Sequence, residues 1–278
     1  MLAIALALGA GLGWGASDFL GGLKSRSRPV PSVLLISQAT ALVLLTITTA
    51  VRGVGPPDPA FLVQAAVAGL GETVGIAALY RGLAVGTMSI VAPVAAAAPL
   101  IPLLAGLVAG QVPGPLQFAG LVLTALGLVI ASRRPATGTG DRPLTSILYG
   151  LLAALGFGTF FLSMHNAGQA DTGWALLTAR LTTVIVIASV VVLTRHHVTV
   201  RRSDLPVLAS IGVLIVAADA QYAVASMLGP VSVAAVLGSL HTVVTIVLAR
   251  IVLKERLTRP QMIGMGVVLA GVLALSLT

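Results

Sequence analysis

Cysteine is absent from the chain, which excludes a disulfide framework and any thiolate metal site. Charge is almost as scarce, at 9% of residues, where soluble domains carry roughly 25%. With 57% hydrophobic residues and a mean hydropathy of +1.06, the chain has too little polar surface to cover a water-soluble globule and reads as an integral membrane protein. Walker, HExxH and GxSxG motifs are missing, so ATP does not drive the protein directly and the usual constellations of an intramembrane enzyme are lacking. The balance is basic, with 16 Lys and Arg against 8 Asp and Glu. These bases stand in short clusters between apolar runs, as flanking charges do in membrane proteins, and nucleic acid is excluded as a partner.

What the chain has in quantity is apolar runs of about 20 residues, the length that crosses a bilayer as helix. None alternates with a period of two, which excludes a barrel, and lipid offers a spanning backbone no hydrogen-bond partner, which requires helix. Gly, Pro and charge delimit ten such runs: Leu2–Gly22, Ser32–Val51, Phe61–Tyr80, Ser89–Val108, Pro115–Ser132, Thr145–Met164, Gly173–Thr194, Leu205–Met227, Val231–Val252 and Pro260–Leu277. The first lacks the basic n-region of a signal peptide and is expected to be retained as a helix.

The two halves echo each other. At an offset of 143 residues Gly86, Ser89 and Ala92 fall on Gly229, Ser232 and Ala235, and Gly13 and Gly15 fall on Gly156 and Gly158 with Trp14 opposite Phe157. At 142, Leu34, Thr40 and Tyr80 fall on Leu176, Thr182 and Tyr222; at 144, Gln117 and Gly120 fall on Gln261 and Gly264. A near-constant offset is the signature of a duplication. Residues 133–142, rich in Gly, Thr and Pro, have linker composition, giving repeats over 1–134 and 143–278. Five helices per copy is an odd number, so the second copy enters the membrane from the opposite side. The expected fold class is all-α integral membrane, ten transmembrane helices as two inverted five-helix repeats.

Charge tests that orientation. With the N-terminus external, the cytoplasmic connections hold Lys24, Arg26, Arg28, Arg81, Arg133, Arg134, Arg142, Arg195, Arg201, Arg202, Arg250, Lys254, Arg256 and Arg259, while the external ones hold only Arg52. Both termini are therefore expected outside a multi-pass protein of the cell (plasma or inner) membrane.

The stretch Leu253–Leu257 (LKERL) before a Gly-rich last helix, and the Gly13-Trp14-Gly15 turn of the first, resemble the drug/metabolite transporter superfamily, EamA type. The resemblance covers nearly the whole chain. It implies a central cavity enclosed by both halves and export of amino acids, metabolites or drugs. The acidic loop residue of that pattern is present as Glu255 but is Gln111 in the first half, and the second-helix arginine is present as Arg180 but is Gln38 in the first.

Ionisable side chains inside a bilayer cost several kcal/mol unless paired or hydrated, which makes them functional candidates. Glu72, Arg180, Asp219 and His241 qualify. On one reading Glu72 or Asp219 exchanges a proton with the cavity, while Arg180 binds a substrate carboxylate or neutralises Asp219. On the other, an Arg180–Asp219 pair fixes helix packing and does no chemistry. His241 either relays protons or hydrogen-bonds a neighbouring helix. Asp18, close in sequence to Lys24 and Arg26, reads as an interfacial ion pair, His165 with Asn166 as interfacial, and His196 and His197 as loop residues without further ligands for a metal. Trp14, Phe157, Tyr80 and Tyr222 are aromatics at repeat-equivalent places; they fit a cavity wall, although Tyr80 near a helix end also fits the membrane interface. Gln38 and Gln221 add neutral hydrogen-bonding groups. Pro93, Pro99 and Pro102 should kink the fourth helix, as a gate or as a plain bend, whereas its counterpart has only Gly238.

The expected function is a secondary transporter moving small metabolites by alternating access, with a non-transporting scaffold or a channel as the alternative. No cofactor is implied. The expected partners are a small-molecule substrate and the lipid bilayer, and the expected state is a monomer or weak dimer. Substrate, direction and proton coupling are left open.

Overall fold

A computed structural model describes residues 1–86, 88–108, 114–131, 143–229, 231–253 and 259–276. The 133–142 linker, Gln111 and the 254–258 stretch with Glu255 lie outside the described residues. Among those described, the regular structure is entirely helical: twelve α-helices and one 3-10 turn, Arg202–Asp204.

Among the described residues, six helices are long and apolar enough to cross a membrane. They are α1 (Leu2–Ser25), α2 (Val30–Arg52) and α3 (Pro59–Val85) in the first half, and α7 (Pro143–Gly168), α8 (Thr172–Leu193) and α9 (Leu205–Leu228) in the second. Local chemistry sets their ends. Gly53, in the left-handed region at φ 62°, closes α2, as the missing Cβ permits. Asp58 caps α3, its carboxylate accepting from Ala60 N–H at 2.8 Å ahead of Pro59, and Asp171 caps α8, accepting from Trp174 N–H at 2.8 Å.

The remaining helices are shorter: α4 (Met88–Ala95), α5 (Leu100–Val108), α6 (Pro115–Ala131), α10 (Val231–Ser239), α11 (His241–Leu253) and α12 (Arg259–Ser276). The fourth and ninth apolar runs, expected as single helices, are thus each broken in two. In the first half proline is the cause. Pro99 has no N–H and drives the residue before it out of helical geometry. The turn at Ala96–Pro99 is closed by i→i−3 bonds, with Ala97 N–H donating to Val94 O at 3.1 Å and Leu100 N–H to Ala97 O at 2.9 Å. Pro102 sits in the first turn of α5, where a missing donor costs nothing. Pro93 falls within α4, its side chain outside the described residues.

The second break comes at Leu240 without a proline, its N–H donating to Leu237 O at 3.2 Å. Here the neighbour fixes the bend. Gly15 on α1 lies so close that a Cβ there would sit 2.7 Å from His241 O. Gly158 on α7 stands against the first break in the same way, an added Cβ falling 2.6 Å from Ala98 O.

That correspondence extends through the bundle. α1 packs on α9, α10 and α11 as α7 packs on α3, α4 and α5; α3 meets α8 as α2 meets α9; α2 crosses α8 and α6 pairs with α12. Exchanging the halves maps each of these contacts onto another or onto itself. Two ionic clasps join the halves at opposite ends. Where α1 turns into α2, Lys24 Nζ and Arg28 Nε donate to the two oxygens of Asp204 at 2.8 Å each, just ahead of α9. At the far end of α2, Arg52 donates to both oxygens of Asp171 at 2.9 and 2.6 Å, just ahead of α8. The α1–α2 and α7–α8 turns therefore lie at opposite ends of the bundle.

Polarity is arranged inside out. Leu12, Val43, Ile47, Leu155 and Ile185 are exposed, while helices touch through small residues such as Ala10, Ala68, Ala153, Ala179 and Ala218. Lipid tails are as apolar as Leu, so close approach of small residues, not expulsion of large ones, holds such a bundle together. The buried interior holds Asp18, Gln38, Glu72, Arg180, Asp219 and His241.

Candidate functional site

Arg180, on α8, is 1% exposed midway along the bundle. A guanidinium removed from water must find acceptors, and helices from both halves bring three. Nη1 donates to Glu72 Oε1 on α3 at 2.8 Å and to Gln38 Oε1 on α2; Nη2 donates to Asp219 Oδ2 on α9. The other oxygen of Asp219 accepts from the Trp14 indole N–H on α1 at 2.8 Å. The Arg180–Asp219 pair weighed from sequence therefore exists, within a larger network that takes in Glu72, Gln38 and Trp14. Three of its atoms have no partner: Glu72 Oε2, Gln38 Nε2 and Arg180 Nε.

One turn along α1 from Trp14, Asp18 forms a second buried group with His241, Oδ2 to Nδ1 at 2.7 Å. The break at Leu240 makes His241 the first residue of α11 and sets its ring toward α1. This corrects the expectation for Asp18, which is buried inside the bundle, while Lys24 turns to Asp204. His241 hydrogen-bonds a neighbouring helix, as one of its two readings held. Tyr80 is fully buried within the bundle, its hydroxyl donating to Ser17 O at 3.2 Å; Tyr222, its counterpart, donates to Phe161 O at 3.3 Å.

Between the two charged groups lies a cavity of about 30 Å³. Its polar wall is Asp18, Glu72, Asp219, His241 and Ser17; its apolar wall is the rings of Trp14, Phe157, Phe160 and Phe161 with Ile76 and Ile215. Trp14 stands edge-on to Phe160 at 6.2 Å between centroids, and Phe157 edge-on to His241 at 6.0 Å, within the range of favourable ring pairs. Of the residues singled out from sequence as site candidates, Trp14, Glu72, Phe157, Asp219 and His241 line this space. Gln38 and Arg180 join the network without lining it. Gln221 turns away, its amide donating to Ala217 O at 3.0 Å, and Tyr222 lies behind Trp14 with centroids 5.5 Å apart. Pro99 and Pro102 flank the first break, away from the cavity. Sequence reading passed over Asp18, Phe160 and Phe161 as wall residues. The available signal was spacing: Asp18 is four residues from Trp14, and Phe160 and Phe161 are three and four from Phe157, so each shares its helix face.

An apolar exterior around buried charges paired with one another defines a multi-pass helical membrane protein with an internal site. The particular family follows from sequence: the EamA-like transporter family matches residues 1–133 and again 144–277, and the chain belongs to it. Members of that family are membrane transporters of the drug/metabolite type. A solved structure described only as "Crystal structure of protein" is similar over 99% of this chain and 96% of its own, with a TM-score of 0.71 at 19% identity, a likeness of fold. No protein with a curated description matches the chain.

Proposed function

We propose that the protein is a secondary transporter that exports small metabolites, amino acids or drugs by alternating access, through a central cavity between inverted five-helix repeats spanning 1–134 and 143–278. On this reading α4–α5 and α10–α11 each count as one broken span, giving ten, and both termini face outward. The reciprocal packing of the halves and the placement of equivalent turns at opposite ends support the inverted arrangement. The concentration of Lys24, Arg26, Arg28, Arg81, Arg195, Arg201 and Arg202 at one end supports the orientation.

The observation that carries the proposal is the charged cavity at the junction of the halves. At about 30 Å³ it has room for about one or two waters. A solute enters only if the halves part, which favours a carrier over a standing pore. The broken helix whose His241 lines the cavity fits the usual place for irregular backbone inside a membrane, against a cavity. Glu72 and Asp219 share Arg180 and touch the cavity, an arrangement that supports proton exchange beside the solute.

Reconstituted vesicles test the proposal. Saturable counterflow of a labelled solute is the expected result, and flux that never saturates would point to a channel. Asp219→Asn is expected to lower the transport rate and flatten its pH dependence; a full rate with an intact pH profile would remove Asp219 from coupling.

A further inference from the structure

The expectation that Arg180 receives a substrate carboxylate does not fit the site. Both of its terminal nitrogens are engaged by Gln38, Glu72 and Asp219, and it does not line the cavity. The charges that do line it are three carboxylates, Asp18, Glu72 and Asp219, together with His241. Glu72 and Asp219 share the one guanidinium of Arg180, and Asp18 has the His241 imidazole, so the carboxyl groups outnumber the cationic side chains that meet them. One carboxylate oxygen, Oε2 of Glu72, is unpartnered although the residue is only 4% exposed. The same cavity is lined by the aromatic rings of Trp14, Phe157, Phe160 and Phe161.

From this we infer that the solute of the cavity is an organic monocation with an aromatic or apolar body, its ammonium paired with Glu72 and Asp18 and its body held among the four rings. A carboxylate oxygen buried without a donor favours a cation that supplies one, and aromatic rings attract cations further. The nearby donors without partners, Gln38 Nε2 and Arg180 Nε, belong to residues that do not line the cavity, so an anion, or the carboxylate of a zwitterion, would meet the acidic wall instead. The inference deepens the transport proposal and rests on it for the parting of the halves that admits the solute, while the charge and shape of the solute are argued from the cavity wall alone.

Three probes of nearly one shape separate the possibilities: phenethylamine, phenylalanine and 3-phenylpropionate. The chain has two tryptophans, so Trp174→Phe leaves Trp14, a wall residue, as the sole fluorescent reporter. Phenethylamine is expected to quench Trp14 saturably and to bind at least tenfold more tightly than 3-phenylpropionate, with phenylalanine between. Glu72→Gln, which keeps shape and the bond to Arg180, should weaken the amine at least tenfold, and Asp18→Asn should weaken it independently. Equal or tighter binding of the propionate, no saturable quenching by the amine, or an amine affinity unmoved by both substitutions overturns the inference. Counterflow of labelled phenethylamine separates the two claims. Binding without counterflow defeats the transporter reading and leaves the cation site standing, whereas counterflow of the propionate alone does the reverse.

Discussion

Gln38 and Arg180 stand 142 residues apart, at corresponding places in the two halves, and touch: the amide oxygen of one accepts a hydrogen bond from the guanidinium of the other. Two arginines at this meeting point would oppose like charges, and two glutamines would leave Glu72 and Asp219 without a cation. Divergence of the copies supplies one donor and one acceptor where strict repetition would supply two of either.

Removing the cation therefore strands two carboxylates. Arg180→Ala is expected to destabilise the protein by about 3–5 kcal/mol, the usual consequence of breaking a buried ionic group by one partner. Arg180→Lys should recover only part, because an ammonium cannot present the planar fork that spans Glu72 and Asp219. The neutral triple variant Arg180→Gln, Glu72→Gln, Asp219→Asn should recover most of it. Chemical denaturation in detergent measures all three, and a triple variant no more stable than Arg180→Ala would contradict the electrostatic account.

Gly15 and Gly158 should behave as a pair. A methyl group at either meets a carbonyl at a helix break, 2.7 Å from His241 O or 2.6 Å from Ala98 O. Each Gly→Ala change is expected to cost about 1–3 kcal/mol through overpacking. Gly266→Ala, with nothing within 4 Å of the added atom, should be neutral or slightly stabilising. Unfolding of the three single variants decides it; a harmless Gly158→Ala beside a damaging Gly15→Ala would mean the two sites are not equivalent.

The Arg52–Asp171 clasp makes stability depend on pH. The hydrogen bond from Arg52 is the largest influence holding the Asp171 carboxyl below its usual range, joined by the donated N–H of Trp174. A carboxyl lowered in the folded state adds stability that is complete above its unfolded value of about 3.9 and is lost as pH falls through its folded value. Asp171→Asn keeps the helix cap but loses the charge. Its melting temperature should lie slightly below wild type from pH 7 to about 5, with the gap closing as acid protonates Asp171. A gap that widens in acid would reverse the sign.

Orientation is open to direct labelling, since a chain without cysteine is a silent background. Ser27→Cys, in the α1–α2 turn, and Gly55→Cys, beyond α2, lie at opposite ends of the bundle. An impermeant maleimide added to intact cells should modify the second and spare the first. The opposite pattern would overturn the charge-based assignment of both termini to the outside.

The membrane class, the helices and the duplication were legible in composition and in residue offsets, because those depend on short-range pattern. Three features were not. Asp18 was assigned to Lys24 and Arg26 on nearness in sequence, but its partner is His241, 223 positions away, and nothing local announces such a pairing. Tyr80 near a helix end looks interfacial until α1 is laid across it. The proline-bearing fourth run promised a kink, which is present as a full break; the break at Leu240 carries only the weak local signal of Gly238 because its cause lies on another helix.

That last difference has a mechanical consequence. The bend after Ala95 is written into the covalent chain by Pro99, and no rearrangement of neighbours can straighten it. The bend at Leu240 is borrowed, kept open by α1 pressing Gly15 into the notch and laying the Trp14 indole over Gly238. Withdraw α1 and that support goes with it: one half carries an elbow set by its own proline, the other an elbow braced by a neighbour.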